Sequence, residues 1–352
     1  MSVASVSVVI PAYNAAGLLE TCLNSLFAQT RAPSRFEVIV VDDASTDDTA
    51  DRAEALRPAA EDAGATLHVL RQPENKGPAA ARNRGAEAAT GEVVVFTDSD
   101  CEPTPDWLSQ MLAPFENPAV SAVKGAYRTR QTALVARFAQ AEFEERYRML
   151  ERSQTVDVVF SYSAAFRTTV FREAGGFDSR FPVADNEDTD LSYRIVEAGH
   201  RAVFNPNALI YHRHPDTLRR YLRKKVSRGY WRMLVYRRFP GKAVKDSYTP
   251  QDLKAQIALS YATLGLAVLS PIFPALLWPA GLSGFVTVAS TLPFAGRLVG
   301  RDPGLALAAP ALLVARALAL GAGILAALPR LLTGGGVGKT ETHLAGGATG
   351  GS

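Results

Sequence analysis

Val93-Val94-Val95-Phe96-Thr97-Asp98-Ser99-Asp100 is the stretch that decides the fold, an apolar run that closes on two carboxylates at i, i+2. Gly91 bounds the run on one side and Pro103 on the other, so it reads as a short buried strand. Ionised carboxylates in the middle of such a strand would be very costly to bury. At its carboxyl end they face the crevice where open α/β sheets bind ligands. There Asp98 and Asp100 offer hard oxygen donors, suited to Mg²⁺ or Mn²⁺ carrying a diphosphate. Taken alone, the pair reads equally as a polar turn after a strand.

Upstream, short β-branched runs alternate with Ala- and Leu-rich segments, the pattern of βαβ units and a mostly parallel sheet. Strands are expected at 6–10, 37–41, 66–70 and 93–97, with helices at 16–28, 47–63 and 78–89 between them. Asp47 is placed to cap the second helix, with Asp48 and Asp51 in its first turn.

The 352 residues carry a net charge of +3, and the basic ones are unevenly spread. Cys22 and Cys101 are too few for a disulfide framework or a zinc site, which leaves Asp, Glu and His as metal ligands. Val6–Ile10 is too short and lacks the basic flank of a secretory signal, so the catalytic part is expected in the cytosol.

From Ala255 to Gly296 no side chain is charged, well beyond the ~20 apolar residues that cross a bilayer. A turn near Pro271-Ile272-Phe273-Pro274 would divide this run, and Gly304–Pro329 follows as another candidate. Two or three crossings are expected over 251–332, with a re-entrant first pair as an alternative, making a multi-pass protein of the cell membrane. A disordered Gly-rich tail is expected over 333–352. Between the sheet region, 1–215, and the spans lies a basic segment, 216–250. Its cations, Arg219 to Arg238, alternate with Tyr230, Trp231, Leu234 and other apolar residues at near-helical spacing. It reads as an amphipathic helix on anionic membrane lipids, which accounts for the charge without nucleic acid.

Four constellations line up in the first region. Val8–Asn14 ends the first strand with a loop, including Pro11 and Tyr13, that could contact a base. Val40–Thr46 ends the next with Asp42 and Asp43. Asn75–Gly85 starts a helix with Pro78 and with Lys76 and Arg82 nearby. Asp98 and Asp100 complete the set. Two acidic strand tips flanking a basic helix start point to a nucleoside diphosphate and a metal.

This ordered set, with Ser163–Arg167, Gly175–Asp178, Asn186–Arg194 and Tyr211-His212 downstream, resembles glycosyltransferase family 2 on a GT-A fold over about residues 5–215. The resemblance implies a Rossmann-like α/β domain followed by transmembrane helices. It also implies metal-dependent sugar transfer from a nucleotide-diphosphate sugar, a UDP-sugar favoured, with inversion at the anomeric carbon. By that likeness Pro11, Tyr13, Asp42, Asp43, Lys76, Arg82 and Asp98 would bind the nucleotide sugar. Asp98, Asp100 and His212 would hold Mg²⁺ or Mn²⁺, and His214 lies two residues on. Asp188 would be the general base, although it would also be at home in the first turn of a helix. Phe166 and Glu187 would lie on the acceptor side.

Tyr162-Ser163-Ala164-Ala165-Phe166 lacks the Gly-Ala opening common in relatives, so acceptor preference does not transfer. The Gln-x-x-Arg-Trp motif of processive synthases is not reproduced at Arg228-Gly229-Tyr230-Trp231, which favours single-sugar transfer. A lipid-linked or saccharide acceptor at the cytosolic face, in envelope or exopolysaccharide synthesis, is expected. A polyprenyl-phosphate sugar synthase and a catalytically inactive membrane scaffold are the alternatives.

Overall fold

The alternating apolar runs become strands of one eight-stranded sheet in the computed structural model, which describes residues 3–30, 33, 35–181 and 185–333. The strands are β1 (Ser5–Ala12), β2 (Arg35–Asp42), β3 (Ala65–Arg71), β4 (Val93–Thr97), β5 (Glu102–Pro103), β6 (Val120–Arg128), β7 (Ser163–Arg167) and β8 (Arg201–Tyr211). Their spatial order is β3-β2-β1-β4-β7-β6-β8-β5. Helices in the same region are α1 (Ala16–Phe27), α2 (Thr49–Ala55), α3 (Arg57–Asp62), α4 (Pro78–Ala88), α5 (Trp107–Leu112), α6 (Leu134–Glu151), α7 (Thr168–Glu173) and α8 (Glu187–Glu197). Then follow α9 (Leu218–Arg238), α10 (Pro240–Val244), α11 (Gln251–Leu269), α12 (Leu277–Ala289), α13 (Leu292–Leu298) and α14 (Pro303–Leu332).

The first four strands pair in parallel, with Val8 level with Val38 on one side and Val95 on the other. Val8, Val9, Val38, Val94 and Val95 are fully buried, as expected of strands covered on both faces. Past β4 the sheet turns mixed: β7 runs antiparallel to β4 and β6, and β8 runs parallel to β6. The helix expected over 47–63 breaks at Leu56, because Pro58 lacks the N–H that would continue the ladder. The N-cap position of α2 falls on Asp48, while Asp47 accepts from the Thr49 N–H at 3.0 Å.

The described residues form two compact units, one of residues 3–130 and 147–213 and one of 131–146 and 214–333. The first holds the sheet. The second is helical, with Phe138, Tyr221, Leu305, Ala309 and Leu313 in its core. Within it α9 is a helix as expected, but Tyr230, Trp231 and Leu234 are buried in protein. The expectation that this apolar face lies on membrane lipids is therefore corrected for these three side chains, which are already covered by protein. The chain reverses between α11 and α12 at 270–273, where the prolines predict it. Pro274–Leu298 and Pro303–Leu332 are long and apolar enough to cross a membrane. The Gly-rich tail from Gly334 lies outside the described residues.

Candidate active site

The loops that follow β1 and β2 are laced together. The Asn14 N–H donates to Ser45 Oγ at 2.9 Å, and Asn14 Oδ1 accepts from the Thr46 N–H at 2.8 Å. Asn14 and Ala44 both take positive φ, 49° and 60°, an unfavourable backbone state that this lacing holds in place. Pro11 is buried at the end of β1, and Tyr13 is exposed beside it. Asp42 is buried and accepts from the Ser45 N–H at 3.3 Å.

Asp43 is used differently from the expectation. It is buried, and accepts from Gln72 Nε2 at 2.6 Å and from the Lys76 and Gly77 N–H groups at 2.8 Å each. Burial pushes its carboxyl up, against the pull of these three donors. Its oxygens thus brace the entrance to α4, where Gly77 takes φ 86°. The Lys76 side chain stands about half exposed, with Nζ 3.5 Å from Glu74.

Arg82 is the centre of the site. The α4 backbone sinks it to 2% exposure, where Nη2 meets Asp98 Oδ1 at 2.7 Å and Nη1 meets Glu187 Oε1 at 2.9 Å. This one guanidinium ties the end of β4 to the first turn of α8. Its ion pairs among the described residues are with these two carboxylates, and the guanidinium lies 5.7 Å from the Phe177 ring centroid, so the buried side chain bridges them where a direct nucleotide contact was expected. Glu187 is likewise not an open acceptor-side group but a buried one. Its pKa is raised to about 8, by burial first and then by the charge of Asp188, against the pull of Arg82.

Asp188 is half-buried, and its Oδ1 accepts from the Thr189 N–H at 2.7 Å. The preceding residue but one, Asn186, has φ 71° at the N-cap of α8. The turn therefore presents consecutive carboxyls, Glu187 toward Arg82 and Asp188 next to it.

Asp100, Cys101 and His212 each offer a ligand atom within 4.8 Å of the others, and His212 Nδ1 lies 3.4 Å from Asp100 Oδ2. Carboxylate and imidazole suit a hard or borderline divalent cation. Burial, then Asp100 and Asp98, push the Cys101 thiol well up, so it is a poor donor at neutral pH. The residues present thus fit Mg²⁺ or Mn²⁺. Asp98, expected as a further ligand, spends Oδ1 on Arg82 and does not join this group.

Two expected site residues stand elsewhere. Phe166 is 1% exposed in β7, edge-on to Phe96 at 6.1 Å and beside Phe171 at 5.7 Å, so it is core and cannot touch an acceptor. His214 is buried in the helical unit, with Nε2 3.0 Å from Gln140 Oε1. Sequence reasoning missed Lys124, fully buried in β6, whose Nζ donates to Tyr162 Oη at 2.9 Å and lies 4.3 Å from the Phe160 ring centroid. A lone lysine inside Val120–Tyr127 was the available signal. It also missed Tyr127, whose ring meets His212 edge-on at 5.4 Å.

Two family models match the chain: "Glycosyl transferase family 2" over residues 7–175 and "Glycosyl transferase family group 2" over residues 93–297. The pre-mycofactocin glycosyltransferase of Mycobacterium tuberculosis is 33% identical over 285 residues, 77% of this chain and 56% of its own length. Glycosyltransferase AglE of Haloferax volcanii is 29% identical over 206 residues, 56% of this chain and 64% of its own. The chain thus spans little more than half to two thirds of these relatives. Among solved structures, a mannosyltransferase from Pyrobaculum calidifontis in complex with GDP-Man and Mn²⁺ matches with TM-score 0.59 and 24% identity, over 92% of this chain and 86% of that one. S. aureus TarS 1–349 matches with TM-score 0.51 and 20% identity, over 94% of this chain and 92% of that one. These two likenesses show the fold.

Proposed function

Because the chain belongs to glycosyltransferase family 2, we propose that it transfers a sugar from a nucleotide-diphosphate donor, a UDP-sugar in preference, to a lipid-linked or saccharide hydroxyl. The single observation that carries this reading is Arg82 held between Asp98 and Glu187, which joins the acidic strand tip to the turn bearing Asp188. A scaffold of the same fold would not need that bridge.

In this reading the laced loops at Asn14 and Ala44–Thr46, with Asp42, receive the base and ribose. Asp100 and His212 would hold the divalent ion, which would supply positive charge against the diphosphate leaving group. Asp188 accepts the proton of the acceptor hydroxyl while that oxygen attacks the anomeric carbon from the face opposite the diphosphate. The C–O bond to the diphosphate breaks as the new glycosidic bond forms, and the configuration inverts. With Glu187 holding a proton near neutral pH, no second full negative charge stands against the Asp188 carboxylate from that side. The apolar C-terminal helices attach the chain to the cytosolic membrane face, where a lipid-borne acceptor is presented.

The test is release of nucleotide by the purified full chain across a panel of nucleotide sugars, with Mn²⁺ and lipid extracts or saccharides as acceptors. Acceptor-dependent release from one donor, abolished by EDTA, is expected. Nucleotide binding without release from any donor would return the scaffold reading.

A further inference from the structure

The two segments long and apolar enough to cross a membrane have opposite surroundings within the helical unit. Charge hems in α14. Midway along it, Arg316 donates to Glu142 Oε1 of α6 at 2.9 Å and to Gln256 Oε1 of α11 at 2.7 Å. Asp302, at its start, meets Arg137 of α6 at 2.9 Å, and Arg330, near its end, reaches Tyr230 Oη of α9 at 3.3 Å. α9 lies against α14 with backbones almost touching. A Cβ on Gly323 would fall 2.0 Å from Val226 O, and one on Gly229 would fall 2.3 Å from Leu320 O.

That closeness decides where the bilayer can be. If α14 crossed the hydrocarbon, α9 would be carried into it as well. Snorkelling rescues cations near helix ends. Arg223, Lys224, Arg228 and Arg232 instead run through the body of α9, and charged side chains at the bilayer centre are strongly disfavoured.

The α11–α12 hairpin shows the reverse arrangement. Its base is polar and docked: Gln256 Nε2 donates to Ser290 O at 3.3 Å, and Tyr261 Oη donates to Leu318 O of α14 at 2.8 Å. Thr263 and Ser283 hydroxyls zip the two helices at 3.0 Å. Beyond them Val268, Ile272, Phe273, Leu277 and Trp278 are exposed, Trp278 at 86%. An exposed apolar tip on an uncharged run fits acyl chains.

Length sets the depth. From Tyr261, docked on α14, to the end of α11 at Leu269 is about 12 Å at 1.5 Å per residue. The turn adds a few more, so the tip reaches about the middle of a hydrocarbon core of ~30 Å. We infer that the α11–α12 hairpin enters the bilayer from one side to about its middle, that α14 does not span, and that both ends of the helical unit stay on the cytosolic side. This rests on the membrane attachment proposed above.

The full chain in vesicles of phosphatidylcholine and phosphatidylglycerol, with bromine placed near the headgroup, at mid-chain or at the chain end, gives the depth of Trp278. Quenching is expected to be strongest with chain-end bromine and to be lost in Trp278→Phe. Strongest quenching near the headgroup overturns the half-depth hairpin. In intact cells, Phe273→Cys should resist a membrane-impermeant maleimide, and a reporter fused to the C-terminus should read cytosolic. Labelling from outside, or an external reporter, means a full crossing and overturns the inference. A chain that does not float with the vesicles at all would sink the membrane attachment itself, whereas floating with shallow quenching sinks only the depth.

Discussion

Two buried ion clusters, one in each unit, are opposite in charge and differ in exposure. In the sheet unit one cation, Arg82, meets Asp98 and Glu187 with Asp188 beside them. In the helical unit one carboxylate, Glu142, meets Lys225 at 2.9 Å, Arg316 at 2.9 Å and Arg146 at 3.7 Å, and accepts from Tyr221 Oη at 2.7 Å. Burial pushes the Glu142 carboxyl up, yet Lys225, Arg316 and Arg146 hold it well below the usual carboxylate range. The side chains of Asp98 and Asp100 remain 29% and 35% exposed, while the four charged members of the helical cluster remain 8% or less. A cluster with negative surplus and one open side can receive a cation and its diphosphate. A closed cluster joins α6, α9 and α14.

The comparison breaks most sharply at Asp188. Asp188→Asn keeps the shape and removes the proton acceptor, so transfer should fall by about 10²–10⁴ while UDP titration with Mn²⁺ is unchanged. Asp100→Ala should lose both transfer and the Mn²⁺-dependent part of nucleotide binding. Wild-type transfer by the Asp188 variant would move the base elsewhere.

Removing the hub of each cluster comes next. Glu142→Ala strands three buried cations and should cost about 3–5 kcal/mol in denaturant unfolding, whereas Arg82→Ala leaves a protonated Glu187 and a part-exposed Asp98 and should cost less. Nucleotide affinity then separates them under conditions where both variants are folded. It should weaken in the Arg82 variant and hold in the Glu142 variant. Equal loss in both would mean that the closed cluster also serves the site.

A smaller effect follows from Glu187. Its pKa rises from an ordinary 4.5 to about 8 on folding, so between those values the folded chain holds a proton that the unfolded chain has released. Its contribution is fully present below about pH 4.5 and is lost as pH climbs through 8. The melting temperature of the wild type should therefore fall relative to Glu187→Gln across that window. Parallel curves would leave Glu187 ionised throughout.

The parallel half of the sheet was legible because β1, β2 and β4 each carry a short β-branched apolar run, and the runs of β2 and β4 lead straight into carboxylates. β6 and β8 escaped because polar residues interrupt them, Ser121 and Lys124 in one and Asn205 and Asn207 in the other. Among site residues, strand-tip and helix-start positions could be read from spacing. Which way each side chain turns could not. Asp43 is claimed by the Lys76 and Gly77 N–H groups, Arg82 by two carboxylates distant in sequence, and Phe166 by Phe96 and Phe171. The basic helix α9 was recognised by composition. Its apolar face matches a protein helix as well as a bilayer, and the close approach at Gly229 and Gly323 settles that choice.

The smallest expected effect is at Lys76, and it separates backbone from side chain within the open cluster. The Lys76 N–H donates to Asp43 Oδ1 at 2.8 Å, a bond that survives any substitution except proline. Its Nζ meets only Glu74 among the described residues, at 3.5 Å on an exposed surface, where an ion pair contributes roughly 0–1 kcal/mol. Lys76→Ala should thus leave the melting temperature almost unchanged. If Lys76 serves the site through its backbone alone, UDP affinity in Mn²⁺ should also stay within about threefold, under the 1.4 kcal/mol of a tenfold change. Asp43→Ala, which releases the Lys76 and Gly77 N–H groups and Gln72 together, should lose more of both stability and affinity. A tenfold loss of affinity in Lys76→Ala with stability intact would instead place its ammonium on the nucleotide's phosphates, as the family resemblance implies.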